Sequence, residues 1–174
     1  MKKLYFVFLI VIGSVLGSFI DCAAFRFTHG ISLIKKTRSF CPTCNHLLNG
    51  FDLIPVFSYI ALMGKCRYCK SKIPIRHFIT ELILPTLFVL IFLFIKDFIG
   101  IFLGMIISCV LLFASLVDIE TKTVPNRCFV TLFIAWVISL VFSKITLKLI
   151  IDSVIGGVVI PGMIFLISVF INKR

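Results

Sequence analysis

The chain has 174 residues, of which 60% are hydrophobic and only 14% charged. Its mean hydropathy is +1.19. Soluble domains carry about 45–50% apolar residues, so a water-soluble globule and a disordered polar chain are both excluded. The formal charge of +11 comes from 18 Lys and Arg against 7 Asp and Glu. Such a balance marks either a nucleic-acid partner or a membrane protein that keeps its Lys and Arg in loops on one side.

The first apolar run, Leu4 to Ile20, comes after a basic Met1-Lys2-Lys3 start. It is long for a signal-peptide core and lacks a small-x-small cleavage site before a polar segment. The reading is therefore a retained membrane helix. Gly13 and Gly17 stand at small-xxx-small spacing, which suits close helix packing. Residues 26–80 form the one long polar stretch. Apolar runs resume at 82–95, 98–117, 128–142 and 149–171, each approaching the roughly 20 residues that span a bilayer. The expected fold is an all-α integral membrane protein of five transmembrane helices with a cysteine loop outside the membrane. Its parts would be an N-terminal module over 1–95 and a second region over 96–174.

Placing 26–80, 118–127 and the C-terminus on one side puts 13 of the 18 basic residues there and 5 opposite. The positive-inside rule makes that side cytoplasmic. This distribution accounts for the charge without nucleic acid, which is not expected as a partner. The loop's basic residues face membrane lipid instead.

Seven cysteines are present. Cys22, Cys109 and Cys128 lie in or beside apolar runs and read as small buried hydrophobes. The other four form Cys41-Pro42-Thr43-Cys44 and Cys66-Arg67-Tyr68-Cys69. Two Cys-x-x-Cys pairs 21 residues apart have the spacing of a zinc ribbon, in which four thiolates close a tetrahedral, structural Zn²⁺ site. Disulfides are the competing reading, disfavoured on a cytoplasmic side. His46 offers an alternative ligand that a full Cys₄ set does not need.

Among the acids, Asp118 stands at the mouth of the run 98–117, a few residues before Val124-Pro125-Asn126. An acid there needs a function or a partner. Neutralisation by Lys122 or Arg127 is the structural reading. Asp21 would pair with Arg26, Glu81 would sit in the first turn of a helix against its dipole, and Asp152 would pair with Lys148.

These features together resemble the type IV prepilin leader peptidase and N-methyltransferase family. The matching elements, in order, are Gly17-Ser18-Phe19-Ile20 with Arg26, the first cysteine pair, Asp52-Leu53-Ile54-Pro55-Val56 with Ser58-Tyr59, Gly64-Lys65 before the second pair, then Ile73, Arg76 and Glu81-Leu82. Asp21 departs from the Asn usual in the family. The resemblance implies a multi-pass protein of the bacterial inner membrane that removes the leader from prepilin or pseudopilin substrates by aspartic proteolysis. It makes Asp118 one of two catalytic aspartates. It also implies S-adenosylmethionine as methyl donor in members that methylate the new N-terminus. The family's second aspartate stands in Gly-x-Gly-Asp, and these 174 residues contain no such motif. Three expectations result: a shortened peptidase, a zinc module that binds pilin or assembly partners without cleaving them, or a chain completed by a partner's aspartate. No Walker loop, GxSxG or HExxH motif is present.

Overall fold

The computed structural model describes residues 2–32 and 38–142. The expected fifth span and Asp152 lie outside the described residues. The chain divides into a unit Met1–Ala135 and a unit Trp136–Arg174. The helices that position the candidate site belong to the first unit.

Helix α1, Lys2–Thr28, carries the first apolar run. After the cysteine loop and the short helix α2, Phe57–Ala61, come α3, Ile75–Phe94, and α4, Phe98–Thr121. Helix α5, Asn126–Phe142, runs out of the first unit. Three of these helices, α1, α3 and α4, are long and apolar enough to cross a membrane, while α5 is shorter. Their outer faces are apolar, with Phe94 and Phe98 among the most exposed side chains. In water that surface would be costly; in lipid it is the required one.

Helices α1 and α3 pack antiparallel in one register. The Phe6 ring meets that of Phe92 edge-on at 5.7 Å. A Cβ on Gly13 would stand 2.5 Å from Pro85 Cα, and one on Gly17 would stand 2.7 Å from the Thr80 carbonyl oxygen. Asp21 meets His77. The glycines therefore work as their spacing implies: a missing side chain lets the backbones touch where dispersion is the main attraction. Pro85 sits inside α3 with its ring against Gly13, so the residue that lacks an N–H faces the one that lacks a side chain.

Helix α4 closes the other side of the pair. Leu9, Ile20, Ala24, Leu84, Phe88, Leu116 and Val117 form the shared core. The turn into α4 is capped by Asp97, whose carboxylate accepts the Gly100 N–H at 2.5 Å. The helix ends at Lys122, in the left-handed conformation with its N–H on the Asp118 carbonyl at 2.8 Å.

Two sequence expectations need correction. The segment between the helices runs over 29–74 rather than 26–80, because α1 continues to Thr28 and α3 starts at Ile75. Glu81 is not in the first turn of α3 but in its second, where it is buried and accepts the Val56 N–H at 2.6 Å.

Candidate functional site

The cysteine loop is built from two knuckles with one backbone plan. In the first, Phe40 bridges Leu47, the Cys41 N–H donates to the His46 carbonyl at 3.0 Å, and the Asn45 N–H donates to the Cys41 carbonyl at 2.8 Å. In the second, Lys65 bridges Lys72, the Cys66 N–H donates to the Ser71 carbonyl at 2.8 Å, and the Lys70 N–H donates to the Cys66 carbonyl at 3.0 Å. Asn45 and Lys70 occupy matching left-handed positions, at φ 56° and 60°. The positive φ turns each chain back on itself one residue past its second cysteine.

The four sulfurs meet. Cys41, Cys44, Cys66 and Cys69 hold their Sγ atoms within 4.8 Å of one another, with Cys41 and Cys69 3.9 Å apart. Tetrahedral zinc with bonds of about 2.3 Å places its sulfurs about 3.8 Å from each other. The donor set and its spacing therefore fit such an ion, and all seven cysteines of the chain are free thiols rather than disulfides. Burial works to raise the Cys41 thiol, but N–H groups of Cys44 and Thr43 directed at its sulfur bring it down to about 6. The Cys44 thiol goes the other way: the His46 N–H lowers it, yet burial and the Cys41 and Cys69 sulfurs push it up to about 11. Metal binding would displace the thiol protons that remain.

The linker between the knuckles is tied to the second one. The His46 ring lies 3.6 Å from that of Tyr68, and the four-sulfur cluster does not include it. Asn49 donates to the Tyr68 hydroxyl at 2.9 Å, and Arg67 pairs with Asp52 at 2.6 Å. Burial of Asp52 alone would raise its pKa, but the Arg67 guanidinium and the Asn49 N–H outweigh it and hold the carboxyl below its ordinary value.

Beneath the knuckles, a charged belt joins the ends of three helices. Asp21 of α1 lies in ion-pair range of Arg76 Nε at 3.3 Å, a contact without hydrogen-bond alignment, and also meets His77 Nδ1, both from α3. Arg76 also pairs with Glu120 of α4, and Glu120 accepts the Thr28 hydroxyl. Asp21 does not pair with Arg26, which is buried and donates to the Arg38 carbonyl at 3.2 Å. Sequence reasoning missed the belt, for which no local motif exists. The only hint was spacing: Asp21 continues the Gly13, Gly17 row by four, and His77 continues the Glu81, Pro85 row.

Asp118 lies in the last turns of α4, at the same end as the belt. It is exposed, and among the described residues neither Lys122 nor Arg127 forms an ion pair with it. Glu120, two residues on, is engaged with Arg76, so the two acids serve different neighbours. Of the three remaining cysteines, Cys128 is buried and Cys22 and Cys109 are partly buried.

Comparison with known proteins gives a consistent answer for the N-terminal half. Residues 11–95 match the family model of the bacterial peptidase A24 N-terminal domain. The chain is 35% identical over 89 residues to the prepilin leader peptidase/N-methyltransferase of Vibrio cholerae, covering 47% of this chain and 35% of that protein. It is 38% identical over 85 residues to the protein of the same name from Myxococcus xanthus, covering 49% and 25%. It is 30% identical over 119 residues to the one from Bacillus subtilis, covering 68% and 48%. The chain thus spans between a quarter and a half of the length of these relatives. No solved structure matches it.

Proposed function

We propose, from the match of residues 11–95 to the bacterial peptidase A24 N-terminal domain model, that this chain belongs to a prepilin leader peptidase of the bacterial inner membrane. The observation that carries the reading is that domain match, which contains both cysteine knuckles. In this reading residues 1–95 are the N-terminal module and 96–174 belong to the peptidase region. The 13-to-5 distribution of basic residues puts the cysteine loop and Asp118 on the cytoplasmic side.

Cys41, Cys44, Cys66 and Cys69 hold a structural Zn²⁺. The ion's contribution is to clip a loop with little apolar core, so metal binding is folding energy. Asp118 is one carboxylate of a catalytic pair. Two close carboxylates share one proton, since both cannot ionise side by side. The ionised partner takes a proton from the attacking water, and the protonated one donates to the scissile carbonyl or the leaving amine. An exposed acid at a helix mouth can meet both water and a peptide emerging from the bilayer. The second carboxylate is not in a Gly-x-Gly-Asp of these residues. The substrate is a prepilin-like protein, cut between a basic leader and an apolar helix. Methylation of the new N-terminus from S-adenosylmethionine is the second step that the relatives' name suggests.

The test is processing of a prepilin by the native gene product in cells that lack other leader peptidases. Asp118→Asn is expected to leave the prepilin uncut, seen as retained leader mass, with the protein present in the membrane at wild-type level. Cleavage by Asp118→Asn would refute the assignment. A second reading, a pilin-binding zinc module without cleavage, draws on the four-sulfur cluster. It gains if the unaltered protein captures prepilin but never shortens it.

A further inference from the structure

The linker between the knuckles contains a turn that a soluble loop has no need of. The Phe57 N–H reaches back to the Pro55 carbonyl at 2.6 Å, closing a three-residue turn around Val56 at φ 63°, ψ −52°. This is the rare, strained form of the γ-turn, here on a β-branched residue. The Val56 N–H points away from solvent to the buried Glu81 carboxylate at 2.6 Å. A buried acid from a membrane-capable helix thus supplies an acceptor to a loop N–H.

The charged belt of Asp21, Arg76, His77 and Glu120 gathers charge at one end of the three helices and is the reference for depth here. Glu81 lies four residues past His77, one turn or about 5–6 Å nearer the middle of α3. The turn at Val56 is held at that level. Below it, Ile54–Phe57 cap an apolar groove of about 570 Å³ that continues down between α1 and α3 past Ile10, Val15 and Leu90. Lipid offers no hydrogen bonds, so irregular backbone at this depth requires an acceptor from the protein; Glu81 is that acceptor. Beside the turn, α2 is fastened to α3 by the stacking of Tyr59 on Phe78 at 5.0 Å. Phe57 and Ile60 of α2, and Met63 just past its end, are 74, 59 and 85% exposed. Such apolar exposure on a short amphipathic turn marks an interaction surface.

We propose that the linker dips below the headgroup boundary of the bilayer that α1 and α3 cross, with Phe57, Ile60 and Met63 in the acyl region and phospholipid chains filling the groove. The occupant is lipid because the groove is continuous with the lipid-facing sides of both helices and is lined almost wholly by apolar atoms. This inference goes beyond the peptidase reading and does not depend on it.

Single-tryptophan variants test it. Starting from Trp136→Phe, Phe57→Trp, Ile60→Trp and Met63→Trp are placed singly in the full chain and reconstituted in phosphatidylcholine vesicles, with Leu93→Trp on α3 as the lipid reference. Exposed positions tolerate the change, and three sites guard against one misfolded variant. Quenching by phospholipids brominated on the upper acyl chain is expected to equal that of Leu93→Trp within about twofold. Aqueous acrylamide is expected to quench at least about fivefold less than it quenches free N-acetyltryptophanamide. Acrylamide quenching near that of the free amide would place the linker in water and overturn the proposal. Protection from both quenchers would mean that protein, a second copy or a pilin-like helix, covers the ridge, and would overturn it equally.

Discussion

At Gly13 and Gly17 a single hydrogen in place of a side chain decides whether α1 and α3 can meet. The atoms that an added Cβ would strike are Pro85 Cα and the Thr80 carbonyl, both backbone. Neither can swing aside as a flexible side chain would, so the helices themselves must part. Gly17→Ala is therefore expected to destabilise the helix pair by about 1–3 kcal/mol, the usual range for overpacking. Gly50 provides the matched control, because a Cβ there meets nothing within 4 Å. Gly50→Ala should stay within about 0.5 kcal/mol of the parent. Thermal unfolding of both variants in one detergent checks the contrast, and equal midpoints would show that the close approach carries no weight.

At the scale of elements, the two knuckles are short pieces that cannot fold for their own sake. The first offers one buried cysteine, Cys41, and a few backbone bonds; the second repeats this around Cys66. What joins them is the sulfur cluster, the ring pair of His46 and Tyr68, and the Arg67–Asp52 ion pair. Arg67 is half exposed, so water screens that ion pair and it adds little. A metal held by the four sulfurs would supply much of the rest. Cys66→Ser is expected to lower bound zinc from one ion per chain to a small fraction, measured by atomic emission on purified protein. Chelation of the parent should open the loop to protease between residues 38 and 74 while α1 and α3 stay resistant. A loop equally resistant with and without metal would refute the folding role. This element was legible in the sequence because ligand chemistry demands four thiols at close spacing. The strained turn at Val56 was not, since nothing in Pro55-Val56-Phe57 shows that Glu81 will accept its N–H.

For the molecule as a whole, hydropathy found the helices but cut them short at the end where the charged belt lies. The run 4–20 became Lys2–Thr28, 82–95 became Ile75–Phe94, and 98–117 became Phe98–Thr121. A hydropathy run stops at the first charges, whereas the helices here continue through Asp21, Arg26, Arg76, His77 and Glu120. The charges are tolerated because Asp21, Arg76, His77 and Glu120 answer one another across three helices, a long-range fact that no local pattern contains. Arg76 is the centre of that arrangement, bound to Asp21 on one side and Glu120 on the other. The Asp21 side chain is only 4% exposed, so losing Arg76 leaves its carboxylate with His77 and little water to turn to. Breaking a buried pair from one side costs about 3–5 kcal/mol; Arg76 is itself partly exposed, which argues for the lower part of that range. Arg76→Leu is accordingly expected to lower the unfolding midpoint clearly. Arg76→Lys should recover only part of the loss, because a point charge cannot span two carboxylates as the planar guanidinium does. Adding Asp21→Asn to Arg76→Leu removes the stranded charge, so the double variant should be more stable than Arg76→Leu alone. If the double variant is instead less stable by the sum of the two single effects, the belt is not an ion-pair network, and the three helix ends are held by apolar packing alone.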